Sequence, residues 1–264
     1  MVGSELLETG QLSKAIERVA EEVKAKPADP AARTFYFELL SLNGDLERAV
    51  RQLEILATLN GEWQSGAALY QGAIVAEQER RKFFSGGPRP QLLSEPQYAK
   101  SYLEAVEHYA AGNPAASAEL LESAAEDGRG LRGSLNGIEI NELSDSHDLL
   151  APFLEVVMEN HYAWVPWESI QSLNVPQPRY LRDTIWAPAS LQLHSGDHGE
   201  VLIFALYPGS YQHADDIKLG RRTEWDTTSG FTLAYGQKVV SADDNDYPIL
   251  ELRDLEVEPC PSAA

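Results

Sequence analysis

Cysteine is nearly missing: Cys260 is the single one in 264 residues, so neither an intrachain disulfide nor a cysteine-built zinc site is available. Long apolar runs are missing as well. No stretch approaches the roughly 18 residues that a membrane-spanning helix needs, and the opening Met1-Val2-Gly3-Ser4-Glu5 has neither the charged start nor the apolar core of a secretion signal. Basic residues are few. The 21 Lys and Arg stand against 41 Asp and Glu, a formal charge of −20, which opposes contact with nucleic-acid phosphates or an anionic membrane face. Two catalytic signatures are also wanting. Gly86-Gly87-Pro88 is not followed by the Gly-Lys-Ser or Gly-Lys-Thr of a phosphate loop, and no Gly-x-Ser-x-Gly nucleophile turn occurs. These absences point to a protein of the reducing cytoplasm whose partners carry basic or mixed surfaces.

What is present begins with a repeat. Gly10-Gln11-Leu12 with Ala15 recurs 34 residues later as Gly44-Asp45-Leu46 with Ala49, and 34 residues is the tetratricopeptide helix-turn-helix period. Gly ends one helix with a positive φ and Ala lets the next cross closely. Gly112 falls two further periods on, although Gln78 stands between in a helical run. Leu12, Ile16, Val19 and Val23 form one apolar stripe as far as Pro27. Asp29-Pro30 caps a helix to Leu42, Asp45 caps another to Asn60-Gly61, and a fourth runs from Ser65 to Phe84. Phe37 occupies a place where such repeats usually carry Gly or Ala, so packing between hairpins must depart from the standard superhelix. Ser85 to Pro90 is a linker or wide turn. Gln97–Ala111 and Asn113–Ala125 form a further hairpin.

Beyond Ala125, 126–133 break regular structure, Ile138–Leu143 is ambiguous between strand and helix, and Leu149–Glu159 reads as a helix. After His161, short aromatic and β-branched runs alternate with Pro, Gly and Asp, the pattern of strands. Val201–Leu206 is apolar on both faces and is expected at the centre of the sheet. The chain is therefore expected to be α+β: tetratricopeptide-like α-helical hairpins over 1–126, a connecting segment with a helix over 127–158, and a compact β-rich domain over 159–264.

Several groups could carry chemistry. His194-Ser195-Gly196-Asp197-His198 holds two imidazoles and a carboxylate, part of a metal site and the basis of an alternative reading as a small metal-dependent hydrolase. A solvated hairpin turn explains the same residues more simply. Asp243-Asp244-Asn245-Asp246 lacks the Gly and terminal Glu of a calcium loop. Arg221 and Arg222 beside Trp225 either hold a partner's carboxylate or aromatic ring, or form structural pairs with nearby acids. In the helical part Tyr36 and Tyr70 are the candidate aromatic anchors for a partner.

The second half carries an ordered set of short motifs: Trp164-Val165-Pro166, Leu181-Arg182-Asp183 with Trp186 and Pro188, Leu206-Tyr207-Pro208-Gly209-Ser210, Asp216, Leu219-Gly220-Arg221 with Trp225, Gly236-Gln237, and Leu250-Glu251-Leu252-Arg253. The set resembles the ImpE family, also called TagJ or SciE, accessory proteins of bacterial type VI secretion, and the resemblance runs over nearly the whole chain. Thr184-Ile185 before Trp186 is a mild departure. The resemblance implies no catalytic residue and no cofactor. It implies a role in binding the small subunit of the contractile sheath, with a link to the ATPase that disassembles contracted sheath.

Overall fold

The computed structural model describes residues 2–59, 61–125 and 131–259. Helices α1 (Val2–Glu8), α2 (Leu12–Ala25), α3 (Pro30–Leu42), α4 (Leu46–Leu59) and α5 (Gln64–Phe83) come first, each packed on the next. Their ends follow from the repeat. Gly10 and Gly44 sit at φ 76° and 79°, and each closes its helix with the same pair of hydrogen bonds. Gly10 N–H donates to Leu7 O at 2.8 Å and Gln11 N–H to Leu6 O at 2.9 Å; Gly44 donates to Ser41 O at 3.0 Å and Asp45 to Leu40 O at 2.9 Å. This six-to-one, five-to-two closure satisfies carbonyls that the helix leaves free. At the start of α3, the Asp29 carboxylate accepts from Ala31 and Ala32 N–H at 3.0 and 3.2 Å, with Pro30 in the first turn.

A short strand, β1 (Gln91–Leu92), precedes the hairpin of α6 (Ala99–Ala110) and α7 (Pro114–Ala125). The remainder is mainly strand: β2 (Gly133–Leu135), β3 (Ile138–Ile140), β4 (Leu143–Asp145), β5 (Phe153–Met158), β6 (His161–Pro166), β7 (Ile170–Asn174), β8 (Trp186–Leu193) and β9 (His198–Phe204). One turn of helix, α8 (Asp215–Lys218), then leads to β10 (Glu224–Asp226), β11 (Leu233–Tyr235), β12 (Val239–Ala242), β13 (Asn245–Pro248) and β14 (Asp254–Val257). The fold is α+β, as expected.

A nine-stranded sheet has the order β1-β6-β5-β9-β8-β7-β14-β2-β3. Only its β1–β6 pair is parallel. Beside it lie a three-stranded sheet, β13-β12-β4, and the β10–β11 pair. The expected helix over Leu149–Glu159 is corrected: a 3-10 turn, Asp148–Leu150, leads into β5. Short apolar runs carry no period that separates strand from helix, and here Val156 and Val157 pair with β6 on one side and β9 on the other. Ile138–Leu143 resolves as strand, turn and strand. The Val201–Leu206 run supplies the end of β9, an interior strand next to the central β8.

The pleat sends alternate residues of β5, β6, β8 and β9 to two different cores. Phe153, Val157, Tyr162, Trp164, Trp186, Leu202 and Phe204 share one core with the helices. Leu154, Val156, Ala163, Val165, Ala187, Ala189 and Ile203 share another with β7, β14 and the smaller sheet. The helical array therefore lies on one face of the sheet. Phe37, the large residue in a place for a small one, points into that contact: its ring lies 5.7 Å from Tyr70 and 6.5 Å from Trp186.

Candidate functional site

The seam between α5 and the sheet holds an unusual amount of buried charge. Glu155 interrupts the apolar run of β5, and the pleat turns it toward the helices. Arg80, from the last turns of α5, meets it with Nε on Oε1 at 2.8 Å and Nη2 on Oε2 at 2.5 Å. Lys238 brings its ammonium to Glu155 at 2.9 Å and to Asp145 at 2.6 Å. All four are nearly or fully buried. The Tyr162 hydroxyl donates to Glu155 and in turn accepts from the Trp164 indole at 2.5 Å. Burial pushes Glu155 up, but the Arg80 and Lys238 charges outweigh it and hold the carboxyl at about 2. Such a pair stabilises little against an apolar alternative, yet breaking it strands a charge at a cost of about 3–5 kcal/mol. It fixes how α5 seats.

Beside this cluster, a cleft of about 190 Å³ opens between the end of α5, α6, the Tyr207–Gln212 loop and β11. Five rings line it: Phe84, Tyr109, His147, Tyr211 and Tyr235. Glu77 at its wall accepts from Arg81 Nε at 2.8 Å and from Arg80 Nη1 at 3.4 Å, so the cleft carries matched charge. Arg81 lies 3.6 Å over the Tyr211 ring and donates to Gly44 O at 3.0 Å, which ties the repeat's second glycine to the sheet-side loop. His147 is 3% exposed and its Nδ1 has no partner. Burial, reinforced by the Lys238 and Arg80 charges, lowers its pKa to about 3, so the ring is neutral.

The Tyr207–Gln212 loop is held both by its own residues and by bonds to Gly236 and Val239. Gly209 takes φ 81°. Ser210 Oγ donates to Tyr207 O at 2.7 Å and accepts from Gly236 N–H at 2.8 Å, while Tyr207 Oη bonds both N–H and carbonyl of Val239. Most of the short motifs of the second half thus build the seam.

The expected partner residues fall into two groups. Tyr36 and Tyr70 are buried, 6% and 9% exposed: Tyr36 accepts from Arg48, and Tyr70 packs at 6.2 Å on Trp186 and accepts from Arg182 at 3.2 Å. Arg182 also pairs with Glu38 at 2.7 Å, a second polar link from helix to sheet side. Arg221, Arg222 and Trp225 sit at the surface. Arg221 donates to the Leu7 and Glu8 carbonyls at 2.7 and 2.9 Å, binding the end of α1, and Arg222 pairs with Asp216 at 2.8 Å. Trp225 lies on β10, paired across from Ala234, with 46% of its surface exposed and its ring 6.5 Å from Tyr207. His194 and His198 flank the hairpin between β8 and β9, closed by Leu193 N–H on Asp197 O at 2.8 Å with Gly196 at φ 97°. Among the described residues no group of three or more His, Cys, Asp or Glu is placed to hold a metal ion. Cys260 and 126–130 lie outside the described residues. Sequence reasoning missed Arg80, Glu155, Lys238 and His147; the one available signal was Glu155, a lone acid in an apolar strand.

The structure is thus a helical array pinned by buried charge to one face of a mixed sheet, with an aromatic cleft at the seam. The fold matches the crystal structure of protein VPA1032 from Vibrio parahaemolyticus at a TM-score of 0.91 and 26% identity, over 98% of each chain. The ImpE protein family matches residues 137–256. Over 261 residues, 98% of this chain and 92% of the relative, the sequence is 34% identical to the type VI secretion system accessory component TagJ of Pseudomonas aeruginosa. The chain belongs to this ImpE/TagJ family.

Proposed function

We propose that this protein is a non-enzymatic accessory component of a type VI secretion system that binds a segment of the small contractile-sheath subunit and links it to the sheath-disassembly ATPase. The observation that carries this reading is likeness across 98% of the chain to a relative named a type VI secretion system accessory component. The surface is compatible with it. Trp225 is a large exposed ring and Arg222, three residues before it in the chain, is exposed as well, the residue types that dominate binding at interfaces. The formal charge of −20 speeds encounter with a basic segment and makes that encounter sensitive to salt. No described helix is long and apolar enough to cross a membrane, and the cytoplasm is the compartment this role requires.

Fluorescence anisotropy with the labelled small sheath subunit, at low and high salt, tests the reading. Saturable binding that weakens with salt and drops at least tenfold in Trp225→Ala is expected. A folded protein that binds at neither salt concentration would end the proposal for this partner.

A further inference from the structure

We infer that the seam cleft is a receptor for one aromatic side chain with a hydrogen-bonding head, tyrosine or tryptophan, presented by a partner segment; this rests on the binding role proposed above. Size comes first. About 190 Å³ has room for one large side chain and lies below the roughly 300 Å³ at which pockets for drug-sized ligands begin. The walls come second. Phe84, Tyr109, His147 and Tyr235 border the space together with Leu149 and Leu233, and rings favour edge and offset contacts with other rings.

Charge excludes the alternatives. Arg80 and Arg81 at the cleft are matched by Glu77 and Glu155, and His147 is neutral, so the site prefers neither a cation nor an anion. A polar, uncharged ring fits that balance. Acceptors stand ready for its O–H or N–H. Glu77, Ser85 and Gln212 line the cleft and supply them. The net charge of −20 favours a segment with basic residues on either side of the ring.

The experiment uses p-cresol and indole, surrogates of the two side chains, titrated into the full-length isotope-labelled protein and followed by NMR. Saturable shifts at His147, Leu149 and Tyr235 are expected. Ser85 is exposed at the opening, so Ser85→Trp places a ring over the cleft without entering the core; affinity for both fragments should fall at least tenfold, while Ser85→Ala retains it. Matched melting temperatures establish that both variants fold. No saturable shift, or equal affinity in Ser85→Trp, overturns the inference. The same variants are then assayed against the small sheath subunit. Binding to the wild type that Ser85→Trp leaves unchanged overturns the cleft as the docking point and leaves the proposed function standing. No binding to the wild type overturns the proposed function, and the fragment titration then decides the cleft alone.

Discussion

The two faces of the β5-β6-β8-β9 region are built on different principles. The face under the helices carries Phe153, Tyr162, Trp164, Trp186 and Phe204 together with the buried carboxylate of Glu155. The opposite face carries Val156, Ala163, Val165, Ala187, Ala189 and Ile203. Small aliphatic groups pack without direction and tolerate repacking. Rings and ion pairs are directional, and a buried charge accepts one arrangement of partners. One face holds the protein together; the other sets where the helical array sits, and with it the shape of the cleft. Charge is divided unevenly as well. Residues 1–125 contain 12 basic and 18 acidic side chains, and 126–264 contain 9 and 23, so the sheet-rich part supplies most of the negative field.

The largest break in this contrast should come from Glu155→Gln, which leaves Arg80 and Lys238 short of a carboxylate at full burial; a loss of about 3–5 kcal/mol in chemical denaturation is expected. The double variant Arg80→Met, Glu155→Leu should recover part of it. Gly44→Ala comes next. A Cβ there would lie 2.6 Å from the Tyr211 ring at φ 79°, and the combined strain and crowding should cost about 1–3 kcal/mol. Acid provides a graded test. His147 is neutral when folded, with a pKa of about 3, against 6.5 in the unfolded chain. Its contribution is full above 6.5 and is lost as pH falls toward 3, by about 1.4 kcal/mol per unit; His147→Phe should flatten a stability profile in that window. On the aliphatic face, Ile203→Val should cost only about 0.5–1.5 kcal/mol. A cost equal to that of Glu155→Gln would erase the distinction between the faces.

Local chemistry made the helical half legible. Gly10, Gly44 and the Asp29-Pro30 cap act within a few residues of themselves, so their effect can be read where they stand. The strand at Phe153–Met158 could not be read that way, because its partners Tyr162 and Leu202 come later and decide its form. Phe37 announced unusual packing, but the cause, Trp186, lies 149 positions along the chain. Tyr36 and Tyr70 looked like anchors for a partner on residue type alone; burial depends on which helix face meets the sheet, and no local signal reports that. The cleft was invisible for the same reason. Its walls come from α5, α6, the segment around His147, a loop and β11, brought together only by the seam.

The place of β14 in the sheet bears on how the protein is made. Asp254–Val257 leaves the ribosome after every other described strand, yet it lies in the interior of the sheet, between β7 and β2. Until it arrives, the β2–β3 hairpin has no partner strand on its open side, and β7 presents a free edge. A message broken shortly before codon 254 would yield a chain with nearly every helix and strand in hand and two sticky borders where one seam should be. Closure of the sheet therefore waits for β14, and a chain that lacks it differs from one that has it by two exposed strand borders.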